Sequence, residues 1–106
     1  MYDLYLKERE GKSYTETGYG FAVYKITGDE CYISEIFVQK EYRKTGEAKK
    51  IMDLVKEIAI ANNCKVLTGS CVPSLAGATT SIKAALAYGM EIMGAHDDFI
   101  TLKMEV

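Results

Sequence analysis

Residues 39–50 read QKEYRKTGEAKK, and their charge is out of step with the rest of the chain. Five cations (Lys40, Arg43, Lys44, Lys49, Lys50) stand with two anions (Glu41, Glu47), a net +3 inside a chain of formal charge −2. The residues that follow carry apolar side chains at helical spacing: Ala48, Ile51, Met52, Leu54, Val55 and Ile58, with Lys49, Lys50, Asp53, Lys56 and Glu57 on the other side. A helix start leaves backbone N–H groups unpaired and carries a partial positive charge. Gly46 in the first turn lets a bulky ligand approach the main chain, and Ala48 keeps a second position small. The chemistry implied is the holding of an anion such as a phosphate or pyrophosphate, with Arg43 and Lys44 beside it. This is not a Walker A loop, because the first glycine and the Gly-Lys-Ser/Thr ending are missing. The plain alternative is a loose turn whose lysines are merely solvated.

Glu35 is a second group able to do chemistry. It lies in CYISEIFV (residues 31–38), a stretch so apolar that a strand there is usually covered on both faces. Glu35 is therefore expected to be half-buried, a carboxylate suited to general-base work, with a solvated or ion-paired strand carboxylate as the alternative. The three cysteines, Cys31, Cys64 and Cys71, form no CxxC pair, and a four-ligand zinc site would have to recruit the lone His96 from a distant turn. No metal is expected. Free, mostly buried thiols in a reducing cytoplasm are the reading, and Cys71, with no histidine near it in sequence, is expected to be inert.

At 106 residues, with 48% hydrophobic and 26% charged content, the chain is expected to be one ordinary globular domain spanning residues 1–106. Mild acidity argues against broad nucleic-acid binding. No apolar stretch approaches the roughly 20 residues of a membrane helix, and MYDLYLKERE is unlike a signal or transit peptide.

The elements that must position these residues follow from pattern. Residues 2–8 alternate and predict a strand, 10–17 a polar turn with Gly11, and 19–26 a second strand. Residues 27–30 read as a hairpin turn, and 31–38 as a third strand. Thr45 is expected to cap the helix and Asn62-Asn63 to end it. Residues 65–68 predict a strand parallel to the third if the helix is a crossover. A loop at 73–77 precedes a second helix, capped by Thr79 or Thr80 and ended at Tyr88-Gly89, and two final strands (90–94 and 98–105) flank a turn. The order is βββ-α-β-α-ββ: an α+β fold with one mixed sheet flanked by two helices.

The stretch CYISEIFVQKEYRKTGEA resembles the acetyl-CoA-binding motif of the GNAT superfamily of N-acetyltransferases, in which a strand runs into an R/Q-x-x-G-x-G/A loop and then a helix. Arg43, Gly46 and Ala48 stand at its three fixed positions. SIKAALAYGMEIMGAHDDFITLKMEV resembles the family's closing segment, with Gly89-Met90 where relatives have Gly-Phe. The resemblance implies a GNAT-like fold and acetyl-CoA (coenzyme A) as cofactor. It implies a pantetheine arm paired with the backbone at Phe37 and Val38, and a pyrophosphate held by the loop Arg43, Lys44, Thr45, Gly46, Glu47 and Ala48. A backbone N–H near Val38 would then be the oxyanion donor.

The activity implied is transfer of an acetyl group to an amine on a small molecule or a protein, with Glu35 as base. Many relatives carry a tyrosine four residues before the closing glycine as proton donor to the thiolate, where this chain has Ala85. Tyr88 is the nearest phenol, three positions further on and about 300° round the helix. The chain also resembles minimal or truncated members, those of a phage type among them, lacking the usual first strand and first two helices. The acceptor wall would then be missing or come from another chain, and the strand at 2–8 would be a sheet edge open to a homodimer or larger assembly. The alternative is a catalytically weak or inactive module that binds partners.

Overall fold

The hairpin at Gly28 sets the frame of the sheet. Its φ of 61° closes a two-residue turn between β2 (Gly20–Thr27) and β3 (Glu30–Val38), which pair antiparallel from Thr27–Glu30 to Gly20–Val38. The computed structural model describes Met1, Leu4 and residues 11–72, 78–96 and 98–106. Before the hairpin comes β1 (Ser13–Glu16), and after it a 3-10 turn (Lys40–Tyr42), α1 (Glu47–Ala61), β4 (Val66–Cys71), α2 (Ala78–Tyr88), β5 (Glu91–His96) and β6 (Phe99–Glu105). The six strands form one sheet in the order β1-β2-β3-β4-β6-β5. Among the described residues the element order is the expected βββ-α-β-α-ββ. The pair β3–β4 is parallel, as a helical crossover requires.

The first strand is not where the alternation put it. It lies at Ser13–Glu16, inside the stretch read as a polar turn, and is held by pairing with β2 from Ser13–Tyr24 to Glu16–Phe21. The expected strand at 2–8 lies outside the described residues apart from Leu4, which is exposed and helical in backbone. The caps also differ. Gly46, not Thr45, is the N-cap of α1, and Thr45 instead donates its hydroxyl to the Tyr42 carbonyl. Thr79 and Thr80 fall inside the first turn of α2. The other end of α1 is as expected, with Asn62 as C-cap and Asn63 left-handed at φ 62°.

Neighbours across a sheet share a face, so the register sorts the side chains. Ala22, Tyr24, Cys31, Ile33, Leu67 and Leu102 turn to one face and pack there against Ile51, Met52, Val55 and Ala59 of α1. Ala85 and Tyr88 of α2 pack on this same cluster. Both helices thus lie on one side of the sheet. The other face carries Tyr14, Phe21 and Phe37 in a row of ring contacts, with centroids 5.4 and 5.6 Å apart.

Burial accounts for the thiols. Cys31 and Cys64 are buried and free, and Cys31 is pushed up to about 11 by burial, with Cys64 and Glu30 adding to it. Cys71 is also free and raised by burial, which suits an inert thiol.

Candidate active site

β3 and β4 stay together for only four residue pairs. Their register runs from Glu30–Val66 to Ile33–Gly69 and then stops, although β3 continues to Val38 and β4 to Cys71. The cause is visible on the other side of β3. Val23 pairs with Glu35 and Tyr24 with Ile33, so Ser34 is an extra residue, a bulge that donates its hydroxyl to the Val23 carbonyl at 3.2 Å. A bulge bends its strand and sharpens the local twist, which swings the end of β3 away from β4. The result is a wedge-shaped opening in mid-sheet.

One hydrogen bond fixes what lines it. The Gln39 N–H donates to the Tyr19 carbonyl at 2.8 Å, so this pair, and every second pair before it, is a hydrogen-bonded one. Phe37 therefore spends its main-chain groups on Phe21. Ile36 and Val38 turn theirs into the opening. Of the two expected edge residues, Val38 turns its main-chain groups into the opening and Phe37 does not, and Ile36 stands beside Val38 there. Arg43 fits the same geometry: its Nε donates to the Val38 carbonyl at 3.0 Å, while its guanidinium lies 5.9 Å from the Phe37 ring centroid. Behind this edge Gly20 is required, because any Cβ there would run into the Phe37 carbonyl oxygen and the Val38 Cα.

The strand leads into the turn singled out above. The rings of Tyr19 and Tyr42 stack at 3.7 Å and fix the 3-10 turn to β2's entry. Lys44 (φ 64°) and Gly46 (φ 86°) are both left-handed and bracket Thr45, a backbone shape that gathers successive N–H groups into a concave nest. No side chain caps α1, and its first internal bond runs from Lys50 N–H to the Gly46 carbonyl at 3.2 Å. The N–H groups before Lys50 thus have no helical partner. A Cβ built on Gly46 meets no atom within 4 Å, so this glycine faces open space. Ala48 is half-buried and Glu47 buried.

The positive island is smaller than its count. Lys49 pairs with Asp53 at 3.1 Å and Lys50 with Glu47 at 3.7 Å. Lys40, Arg43 and Lys44 make no ion pair among the described residues and carry the charge an anion would meet. Glu35 is exposed, not half-buried, because the bulge turns it onto the face that the helices leave open. Tyr88 is bonded within the protein. Its hydroxyl donates to Asp53 Oδ1 at 2.6 Å and so ties α2 to α1, and the phenol is pushed up by burial and then by that carboxylate.

This bond gives a pH signature. Asp53 is held below the usual carboxylate range, first by the Tyr88 hydroxyl and then by Lys49. A depressed folded-state value stabilises above the unfolded value, about 3.9, and is lost as pH falls through the folded one. A raised Tyr88 stabilises below its ordinary value, about 10, and is lost as pH rises. Tyr88→Phe should therefore be less stable than the parent at pH 7, with the gap narrowing in acid and in strong base. Urea midpoints across pH measure it, and an equal gap at pH 7 and at pH below about 3 would contradict the assignment.

A concavity of about 820 Å³ lies at the far end of the sheet, lined by Glu30, Thr68, Lys103 and Glu105 among others. Its mixed charges single out no ligand.

Known proteins share this fold. The fold matches a PaiA N-acetyltransferase from Thermoplasma acidophilum solved with coenzyme A, at TM-score 0.76 and 10% identity, covering 83% of this chain and 54% of that one. Ard1 from Thermoplasma volcanium matches at 0.75 and 20% identity, over 97% of this chain and 76% of that. An IAA acetyltransferase from Bacillus cereus matches at 0.75 and 17%, over 90% and 78%. At these identities the likeness is one of fold, and the chain spans about half the length of the PaiA protein. No curated protein matches the sequence. Residues 7–90 match the profile of the acetyltransferase (GNAT) family, and with most of its length inside that match the chain belongs to this family.

Proposed function

We propose that the protein binds acetyl-CoA and transfers its acetyl group to an amine of a small molecule or a protein. The observation that carries this is the continuity of two binding elements. A backbone edge at Ile36 and Val38 that has no strand partner, with Arg43 on the Val38 carbonyl, runs directly into a helix start at Gly46 that no side chain caps. The first suits the amide-bearing arm of the coenzyme as an added strand, and the second suits its diphosphate. Lys44, Thr45, Gly46, Glu47 and Ala48 offer main-chain N–H groups to the diphosphate, and Arg43 and Lys44 add charge. Bound there, the coenzyme supplies an activated acyl group. The Val38 N–H, which faces the opening, is the donor for the developing oxyanion. Exposed Glu35 takes the proton from the acceptor's nitrogen, directly or through water.

One observation favours a second reading, a partner-binding module with little or no catalysis. Ala85 packs against the core where the family resemblance expects a phenol, and Tyr88 is committed to Asp53. Self-association through the N-terminal side of the sheet, where β1 is the outermost described strand, belongs to either reading. The free thiols suit a reducing cytoplasmic setting. Among the described residues no helix is long and apolar enough to cross a membrane.

Titration calorimetry with acetyl-CoA, followed by an assay of thiol release in the presence of primary amines, separates the readings. Micromolar binding with amine-dependent thiol release supports the transferase. Binding without release supports the module, and no heat at millimolar acetyl-CoA would remove the cofactor from both.

A further inference from the structure

The wedge between β3 and β4 has its vertex at the pair Ile33–Gly69. Two hydroxyls stand there. The Tyr32 phenol reaches from β3 across to Ser70 on β4, with Oη and Oγ 2.7 Å apart, and either oxygen can donate. Both are part-buried, and both lie on the face away from the helices, since Tyr32 pairs with Lys25 on one side and Thr68 on the other.

The inference rests on the transferase reading above. With the diphosphate at residues 43–48, the arm runs back along β3 from Val38 past Ile36. Four residues of strand, about 13 Å, bring its far end level with Ser34, beside the vertex. The departing thiolate needs a proton at that point. Neither Ala85 nor Tyr88 is placed to give one, because Ala85 has no proton to give and Tyr88 gives its own to Asp53.

We infer that Tyr32 is the proton donor to the leaving sulfur, with Ser70 holding the phenol at the vertex. The acceptor's nitrogen attacks the thioester carbonyl, a C–N bond forms, and the C–S bond breaks with its electron pair on sulfur. The Tyr32 O–H proton moves to that sulfur to give the thiol. The nitrogen's proton goes to Glu35 or water, and solvent returns a proton to the phenolate. Among the described residues, the charged groups that the register puts on this face around Tyr32 are Lys25 from β2, Glu30 and Glu35 from its own strand, Lys103 and Glu105 from β6, and Glu91 from β5. From β4 only the Thr68 and Ser70 hydroxyls face it, and Thr68 donates to Glu30.

The test reads the coenzyme's own thiol. Coenzyme A is bound to the parent protein, to Tyr32→Phe and to Ser70→Ala, and thiolate absorbance is followed against pH. A phenol that donates to sulfur stabilises the thiolate, so Tyr32→Phe should raise the bound thiol's pKa by about one unit. Ser70→Ala keeps the phenol but removes the hydroxyl that holds it, so the value should rise by clearly less than in Tyr32→Phe. Equal values in the parent and Tyr32→Phe overturn the donor while the cofactor reading stands, and so does an equal rise in both variants, which would reflect repacking of the vertex. Failure of coenzyme A to bind the parent protein overturns the cofactor reading and the donor together.

Discussion

Gly46→Val is expected to weaken acetyl-CoA binding at least about 100-fold, or roughly 2.7 kcal/mol, while the protein stays folded. The two halves of this prediction come from the same residue. At φ 86° any L-residue is strained, and the cost is on the order of 1–2 kcal/mol. Yet a side chain at this position meets nothing in the protein within 4 Å, so no clash adds to that strain. A domain of this size tolerates such a loss. The same open space is where a diphosphate would sit, and the valine methyl groups would fill it at the point where the N–H groups converge. Gly46→Ala should fall in between. Circular dichroism reports the fold and calorimetry the binding. A valine variant that binds as tightly as the parent would remove the turn from the cofactor site.

The largest loss of stability should come from Leu67→Ala, at about 3–4 kcal/mol. Leu67 is fully buried in β4, in register with Cys31 on β3 and Met104 on β6. Among the described strands β4 alone links the two halves of the sheet, since β1, β2 and β3 lie to one side and β6 and β5 to the other. Backbone ladders hold Leu67 on both sides, so neighbouring strands cannot easily close on the cavity. Urea unfolding should show the fall in midpoint with an unchanged slope, and a melting temperature lower by roughly 15 °C. Leu86→Ala, on a half-open face of α2, should cost much less. A Leu67→Ala loss below about 1 kcal/mol would mean that the two sheet halves are not packed through β4.

Local signals in the sequence located most elements. Helical spacing from Ala48 to Ile58 found α1, Gly28 found the hairpin, and Asn62-Asn63 found the helix end. The turn at Gly46 was legible because glycine, cations and a following helix lie within a dozen residues. What escaped was set by distant partners. β1 reads SYTE, with no apolar alternation, and becomes a strand because β2 offers it an edge. The exposure of Glu35 depends on a bulge at Ser34 and on both helices choosing the same face, neither of which the strand's composition records. The overcounted charge had a nearer remedy. Asp53 lies four residues after Lys49, and Glu47 three before Lys50, spacings that bring side chains together on a helix. The Tyr32–Ser70 pair, 38 residues apart, had no signal in the sequence at all.

Under the proposed function, a coenzyme lying along the outer edge of β3 would meet the peptide groups of Ile36 and Val38, and peptide groups are alike whichever residue carries them. Such an edge asks of its residues only that they stay extended. Proline alone is barred at 36 and 38, because it brings no N–H. Over evolutionary time these two letters are free to drift among aliphatic, aromatic and polar types with no change in what the edge can hold. The longest contact of the proposed site would thus be the one that leaves the faintest trace in the amino-acid alphabet.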